Sequence, residues 1–192
     1  MKTLIISLKI FLFFTVLTGI IYPLFITGIA QLVFPAKANG SLIVKNDKVI
    51  GSELIGQQFD SAIYFISRPS AVSYNPLPSG GSNYGLTNVK LKNLVAERRH
   101  QFFTLNQLDS LNIVVPSEML FASASGLDPH ISPQAALLQV SRIAKARNFN
   151  SSQKNHLFDL IHIETEHPQY GILGEERINV LKLNIELDNL HY

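Results

Sequence analysis

The chain has 192 residues, enough for one domain of ordinary size and an appendage, with a formal net charge of +2 and 16% charged residues. That balance excludes the concentrated basic surface of a nucleic-acid binder, so no nucleic-acid partner is expected. There is no cysteine, which removes disulfides, thiolate nucleophiles and cysteine metal sites.

The positive mean hydropathy is concentrated at the amino-terminal end. From Ile10 to Ala36 no residue is charged, with Lys9 and Lys37 as bookends. A helix over this stretch is roughly 40 Å long at about 1.5 Å per residue, more than a hydrocarbon core of about 30 Å. Pro23 lies inside it and predicts a kink rather than a break, because membrane helices tolerate proline where neighbouring groups satisfy the freed carbonyl. A cleavable secretory signal competes with this reading, and Gly28-Ile29-Ala30 supplies a small-x-small pattern. The apolar run is far longer than an h-region of about 7–15 residues, so a retained anchor is expected, with residues 1–36 as cytoplasmic tail and membrane helix. Lys2 and Lys9 precede the span while Lys37, Lys45 and Lys48 follow it, so charge bias leaves orientation close to a tie. A short tail before a large domain suits export of the carboxyl-terminal bulk, making residues 37–192 one extracytoplasmic soluble domain.

That domain reads as α+β. "SLIVKNDKVIGSELIG" predicts a hairpin around Asn46-Asp47, and "SAIYFISRP" has strand-like residues that stop at Pro69. Prolines 69, 76 and 78 and the paired glycines make Arg68 to Gly85 a long irregular loop, of the kind usually functional or disordered. A helix follows over Thr87 to Leu108, with Val89, Leu91, Leu94, Val95, Phe102 and Leu105 approximating one face. "NIVVP" is a short strand candidate. In "ISPQAALLQVSRIAKARN" Ser132 caps a helix and Pro133 fits its first position, with Ala136, Leu137, Val140, Ile143 and Ala144 as the buried stripe. Another helix starts near Ser151 or Ser152, burying Leu157, Leu160 and Ile161. "INVLKLNIELD" alternates Leu181, Leu183, Ile185 and Leu187 with polar residues, the period-2 signature of a half-buried strand.

Few motifs carry chemistry. "SGGSNYG", Ser79 to Gly85, looks like backbone able to wrap an anion, since glycine permits the positive φ angles of an amide nest. It lacks the lysine and following helix of a phosphate loop, so a tight loop placing Tyr74, Asn75 and Asn83 is the stronger reading. Ser151-x-x-Lys154 and Ser73-x-Asn75 stand in the wrong order for serine acylation, without a Lys-Thr-Gly strand, and Ser151 is read as a helix cap. His162, Glu164, Glu166 and His167 lack catalytic-zinc spacing and fit a solvated helix end. Asp128 and His130 in "SGLDPHISP" read either as a carboxylate–imidazole pair or as an Asp-Pro turn feeding the Ser132 cap, which leaves His130 unexplained.

Several blocks in order resemble one family across nearly the whole chain: "YPL" at Tyr22, "FPAKANGSLI" at Phe34, "GSELIGQQF" at Gly51 and "YFISRPSAVSYNPLPSGGSN" at Tyr64. Three more follow, "VPSEMLFASASGLDPHISPQAA" at Val115, "VSRIAKARN" at Val140 and "GEERINVLKLNIELD" at Gly174. The sequence resembles KdpC, the C subunit of Kdp-type potassium-transporting P-type ATPases. Glu176, where many members have proline, and Tyr84, where leucine is common, are minor departures.

The resemblance implies a single-span subunit of a bacterial inner-membrane pump that imports potassium at the cost of ATP. Its implied partners are a potassium-conducting channel-like subunit, an ATP-hydrolysing subunit and the lipid bilayer. These 192 residues hold neither an Asp-Lys-Thr-Gly-Thr phosphorylation motif nor a Thr-Val-Gly-Tyr-Gly filter, so a non-catalytic accessory role is expected. The family has also been described as a catalytic chaperone that raises the pump's affinity for ATP. On that reading the glycine-rich stretch and a glutamine, here Gln57, meet the nucleotide, with no cofactor bound permanently. Outside the membrane ATP is scarce, so the loop is read first as docking on the channel-like subunit or contributing to the ion entrance. The expected partner- or nucleotide-binding surface comprises Gln57, Arg68, Asn75, Ser79, Gly80, Gly81, Ser82, Asn83, Asp128 and His130, with no catalytic or metal residues.

Overall fold

The computed structural model describes residues 1–109 and 113–190 and divides the chain into two compact units, Met1–Ser52 and Glu53–Tyr192. Together they are α+β: a long apolar helix with one small antiparallel strand pair in the first unit, and a helical domain with another in the second, among the described residues.

In the first unit, α1 (Lys2–Val16), one π turn (Leu17–Ile21) and α2 (Tyr22–Val33) form a continuous helix, Lys2–Val33, long and apolar enough to cross a membrane. No side chain in α1 or α2 is buried. The expected disturbance at Pro23 takes the form of the widened turn just before it. Proline has no N–H to return to the carbonyl four residues earlier, and Tyr22 instead donates its N–H to Leu17 O across the π turn. A short helix, α3 (Pro35–Ala38), leads into strands β1 (Leu42–Lys45) and β2 (Lys48–Ser52). They pair antiparallel as predicted, and Asn46 and Asp47 supply the two positive φ angles, 52° and 59°, that a tight hairpin turn needs.

The second unit holds α4 (Val89–Asn106), a 3₁₀ turn (Ser117–Met119), β3 (His130–Ile131), α5 (Pro133–Leu137), α6 (Val140–Ala146), α7 (Ser151–Ile163), β4 (Ile178–Asn179) and α8 (Val180–Asn189). α4 starts behind Asn88, whose side chain accepts the Lys90 N–H. It buries Leu91, Phe102, Phe103 and Asn106, while Val89 is 69% exposed. Ser132 caps α5 by accepting the Ala135 N–H at 3.1 Å, with Pro133 in the first turn as expected. The single helix predicted there is two, because Leu138 and Gln139 form a turn between α5 and α6. Leu137, assigned to the buried stripe, is 43% exposed. Asn150 rather than Ser151 caps α7, forming a capping box with Gln153. The strand expected at "NIVVP" is absent over residues 113–116, and Asn112 lies outside the described residues.

Two further expectations fail for a shared reason. "SAIYFISRP" turns over residues 61–64, where Tyr64 N–H donates to Ser61 O at 3.1 Å, and then runs on with Phe65 fully buried, yet it joins no sheet. Side chains take the place of a neighbouring strand. Asn184 accepts the Phe65 N–H at 2.8 Å and donates to Phe65 O at 2.9 Å, and Gln139 accepts the Ile66 N–H at 2.8 Å. The buried Arg142 guanidinium donates to Ala62 O and, at 2.9 Å, to Tyr64 O, while Arg147 donates to Ile63 O at 2.8 Å. "INVLKLNIELD", read as a strand, contributes only two strand residues and then becomes α8, which buries Val180, Leu181, Leu183, Asn184 and Leu187. Positions 180, 183, 184 and 187 have helical spacing, and the pattern was hidden because one of its core positions is an asparagine. Asn184 is in the core because it is the partner of Phe65.

Candidate functional site

Two loops build the site, and glycine lets them approach. Gly56 donates its N–H to Leu127 O at 2.7 Å, and a Cβ there would lie 2.6 Å from Asp128 O. Gly126, at φ +71°, would place a Cβ 2.5 Å from Val72 Cγ2 and 2.9 Å from Gly80 O. A side chain at either position would force its neighbours to shift. Gly80 donates its N–H to Ser125 O at 2.9 Å, so the proline-punctuated loop and the Ser123–Asp128 loop are joined by backbone.

This contact changes the reading of "SGGSNYG". Neither Gly80 nor Gly81 has a positive φ, and the expected left-handed backbone falls on Asn83 at φ 53°. One amide of the supposed nest is already committed to Ser125. Gly81 serves close packing, its Cβ position lying 3.1 Å from Ala124 O, whereas a Cβ on Gly80 would meet nothing within 4 Å. Ser79 and Asn83 are exposed and Ser82 is half-buried.

Arg68, Asp128 and His130 come together as grouped from the sequence. Arg68 Nη1 donates to Asp128 Oδ2 at 2.7 Å, and His130 Nδ1 lies 3.4 Å from Asp128 Oδ1. The same Oδ1 accepts the His130 N–H at 3.0 Å. Both readings of the Asp-Pro-His stretch therefore hold: Asp128 makes the turn and also pairs with the imidazole. Burial pushes the Asp128 carboxyl up, but the bonds from the His130 side chain and backbone and the Arg68 charge outweigh it and hold the group at about 2. β3 carries His130 against β4, where it is paired with Asn179.

Arg68 forms part of the wall of two depressions. One, of about 520 Å³, also has Phe59, Asp60, Tyr74, Arg98 and Phe102 on its lining. The other, of about 680 Å³, has Glu118, Asp128, His130, Glu175 and Arg177. Arg68 Nε is buried with no hydrogen-bond partner among the described residues.

The other expected residues serve their own loops. Asn75 Oδ1 accepts the Leu77 N–H at 3.0 Å, and Gln57 O accepts the Ser67 hydroxyl at 3.0 Å. Of the rejected metal cluster, His167 Nδ1 is 2.9 Å from a Glu176 oxygen and Glu166 pairs with Arg177 Nε at 3.0 Å.

Sequence reasoning named Tyr74 only as a residue placed by its loop and missed the other groups that set Arg68 in place. The Tyr74 hydroxyl donates to Arg68 O, and burial pushes its pKa up to about 12. Asn184, Gln139 and Arg142 hold the segment leading into Arg68. Only polar residues at helix-core positions could have signalled them.

A family model described as "KdpC: K+-transporting ATPase, c chain" matches residues 4–189. Among similar proteins, the potassium-transporting ATPase KdpC subunit of Polynucleobacter asymbioticus is 49% identical over 185 residues, covering 94% of this chain and 95% of its own. That of Allorhizobium ampelinum is 48% identical over 178 residues, covering 91% and 90%. That of Geotalea uraniireducens is 46% identical over 196 residues, covering 99% of both.

Proposed function

Because the chain belongs to the KdpC family of K+-transporting ATPase c chains and is thereby a subunit of a potassium-transporting complex, we propose that it is that complex's non-catalytic accessory subunit. Its long apolar helix anchors it in the bacterial inner membrane, and the Glu53–Tyr192 unit lies outside the cytoplasm, docked on the potassium-conducting subunit. The ATP-hydrolysing subunit is the other partner, and the chain supports assembly and activity of the pump rather than chemistry of its own.

The observation that carries the docking reading is Arg68. Its Nη1 is fixed by Asp128, its Nε has no partner among the described residues, and it sits between two open depressions. A rigid scaffold that presents an incompletely satisfied guanidinium suits a protein surface better than a solvated one. Nucleotide contact by the glycine-rich loop is less favoured, because the Gly80 amide is bonded to Ser125 O and neither glycine is left-handed.

Arg68→Ala and Asn83→Ala in the whole complex separate these readings. Docking requires weaker co-purification or lower potassium uptake with the ATP requirement unchanged. Normal assembly with a raised ATP concentration for half-maximal activity would favour nucleotide contact and refute docking. A reporter enzyme fused after Tyr192 tests the side of the membrane, and activity in the cytoplasm would refute the proposed orientation.

A further inference from the structure

The Met1–Ser52 unit ends in a hairpin that stays tied to the membrane helix. The Gln31 and Asn39 side-chain amides bond reciprocally at 3.2 and 3.3 Å, and Asn39 Nδ2 also donates to Pro35 O at 2.8 Å. Ser41 N–H donates to Ala36 O at 2.9 Å, and the Ser52 hydroxyl donates to Gly40 O at 2.7 Å. The strands therefore leave the helix end through a bonded junction, not a free linker.

Depth follows from the helix. Centring the uncharged stretch Ile10 to Ala36 on the bilayer puts Pro23 at the mid-plane. Val33, ten residues on, is then about 15 Å away, at the edge of a core about 30 Å thick. The junction and hairpin begin where the headgroups begin.

The hairpin is amphipathic. Val44 pairs with Val49 and shares its face. Leu42 lies two residues back along β1, across a register shift between Ile43 and Val44 that falls on the partner strand's side of the ladder, where β2 has one residue more. Leu42, Val44 and Val49 are 55%, 58% and 60% exposed. Lys45 and Lys48, paired at the turn, belong to the opposite face, which further from the turn carries the half-buried Ile43. From Lys37 to Ser52 the chain has three lysines against one aspartate, Asp47, a local charge of +2.

We propose that this hairpin is a lipid-contacting element, lying at the bilayer surface with Leu42, Val44 and Val49 at the headgroup–acyl boundary and Lys37, Lys45 and Lys48 at the level of the lipid phosphates. A two-stranded hairpin is marginal in water, and apolar contact on one face with lysines reaching phosphates on the other is how interfacial elements are held. The occupant is lipid because the hairpin is bonded to the end of a helix long and apolar enough to cross a membrane and the nearby charge complements phosphate.

The chain has no cysteine, so one introduced thiol is unique. Val44→Cys and Val49→Cys, each carrying a polarity-sensitive fluorophore, are reconstituted as full chains in phosphatidylcholine–phosphatidylglycerol vesicles without other subunits. Asn155→Cys, on the exposed side of α7, is the reference, and flotation with the vesicles reports insertion of the helix separately. At 44 and 49 the emission shifts to shorter wavelength and is quenched by lipids spin-labelled near the headgroup, and at 155 neither occurs. Lys48→Glu reduces the quenching at 44. Inserted chains whose labels at 44 and 49 behave like the label at 155 would overturn the proposal. So would shielding that arises only when the other pump subunits are co-reconstituted, which would make the face a protein interface.

Discussion

Replacing Asn184 with leucine removes the two hydrogen bonds that stand in for a neighbouring strand at Phe65. Asn184 is 2% exposed and Phe65 is fully buried, so water cannot replace the bonds without opening the core. A buried N–H and a buried carbonyl left unmet cost about 1–3 kcal/mol each, or about 2–6 kcal/mol together. Leucine recovers about 0.5 kcal/mol as a better helix former and about 1–2 kcal/mol as buried apolar surface. The net loss centres on about 2 kcal/mol, with an upper bound of about 4.5 kcal/mol, and at about 3 °C per kcal/mol for a domain of this size the Tm falls by roughly 6 °C. Thermal denaturation of the full chain in detergent measures the fall, and hydrogen exchange of the Phe65 amide localises it. In the parent chain that amide exchanges slowly although it belongs to no sheet; in the variant it exchanges early. An unchanged Tm with a still-protected Phe65 amide would refute the assignment of these side chains as the segment's support. Arg68 is three residues further on, so the same variant also loosens its pair with Asp128.

Three other outcomes follow from single contacts. Gly126→Ala destabilises by about 1–3 kcal/mol, because its Cβ falls 2.5 Å from Val72 Cγ2 at a left-handed φ, whereas Gly80→Ala, open for 4 Å, is close to neutral; denaturant titration of both tests close packing as the reason for glycine. Asp128, held at about 2 in the folded chain against an ordinary 3.8, contributes stability fully present above about pH 5 and lost as pH falls through 4 toward 2. The amount is about 2 kcal/mol or less for a side chain 27% exposed, and Asp128→Asn removes this part of the acid dependence of Tm. Leu183→Ala, at a fully buried position, costs about 2–5 kcal/mol, while Ile185→Ala, only half-buried on α8, costs under about 1 kcal/mol; comparable losses at both would favour a strand face over a helix.

The amino-acid sequence by itself determined the features that depend on near neighbours. The membrane helix follows from an uninterrupted apolar length, the hairpin turn from Asn46-Asp47, and the start of α5 from Ser132-Pro133, since each is decided within a few residues. It also brought Arg68, Asp128 and His130 into one group, because proline and glycine mark loops locally and charged loop residues stand apart from any apolar period. Tertiary structure alone decided what "SAIYFISRP" and "INVLKLNIELD" become. β-branched and aromatic residues announce an extended chain but not what will bond its backbone, and the answer is a set of side chains 73–119 residues away. Asn184 breaks the apolar pattern of α8 for that reason, so the helix looks like a strand until its partner is in place. The glycines near the site are the same case: whether Gly80 and Gly81 cradle a ligand or admit a second loop depends on Ala124 and Ser125, which no local pattern connects to them. A hydrogen-bonding group must find a partner when it is buried, but its sequence neighbours do not say which.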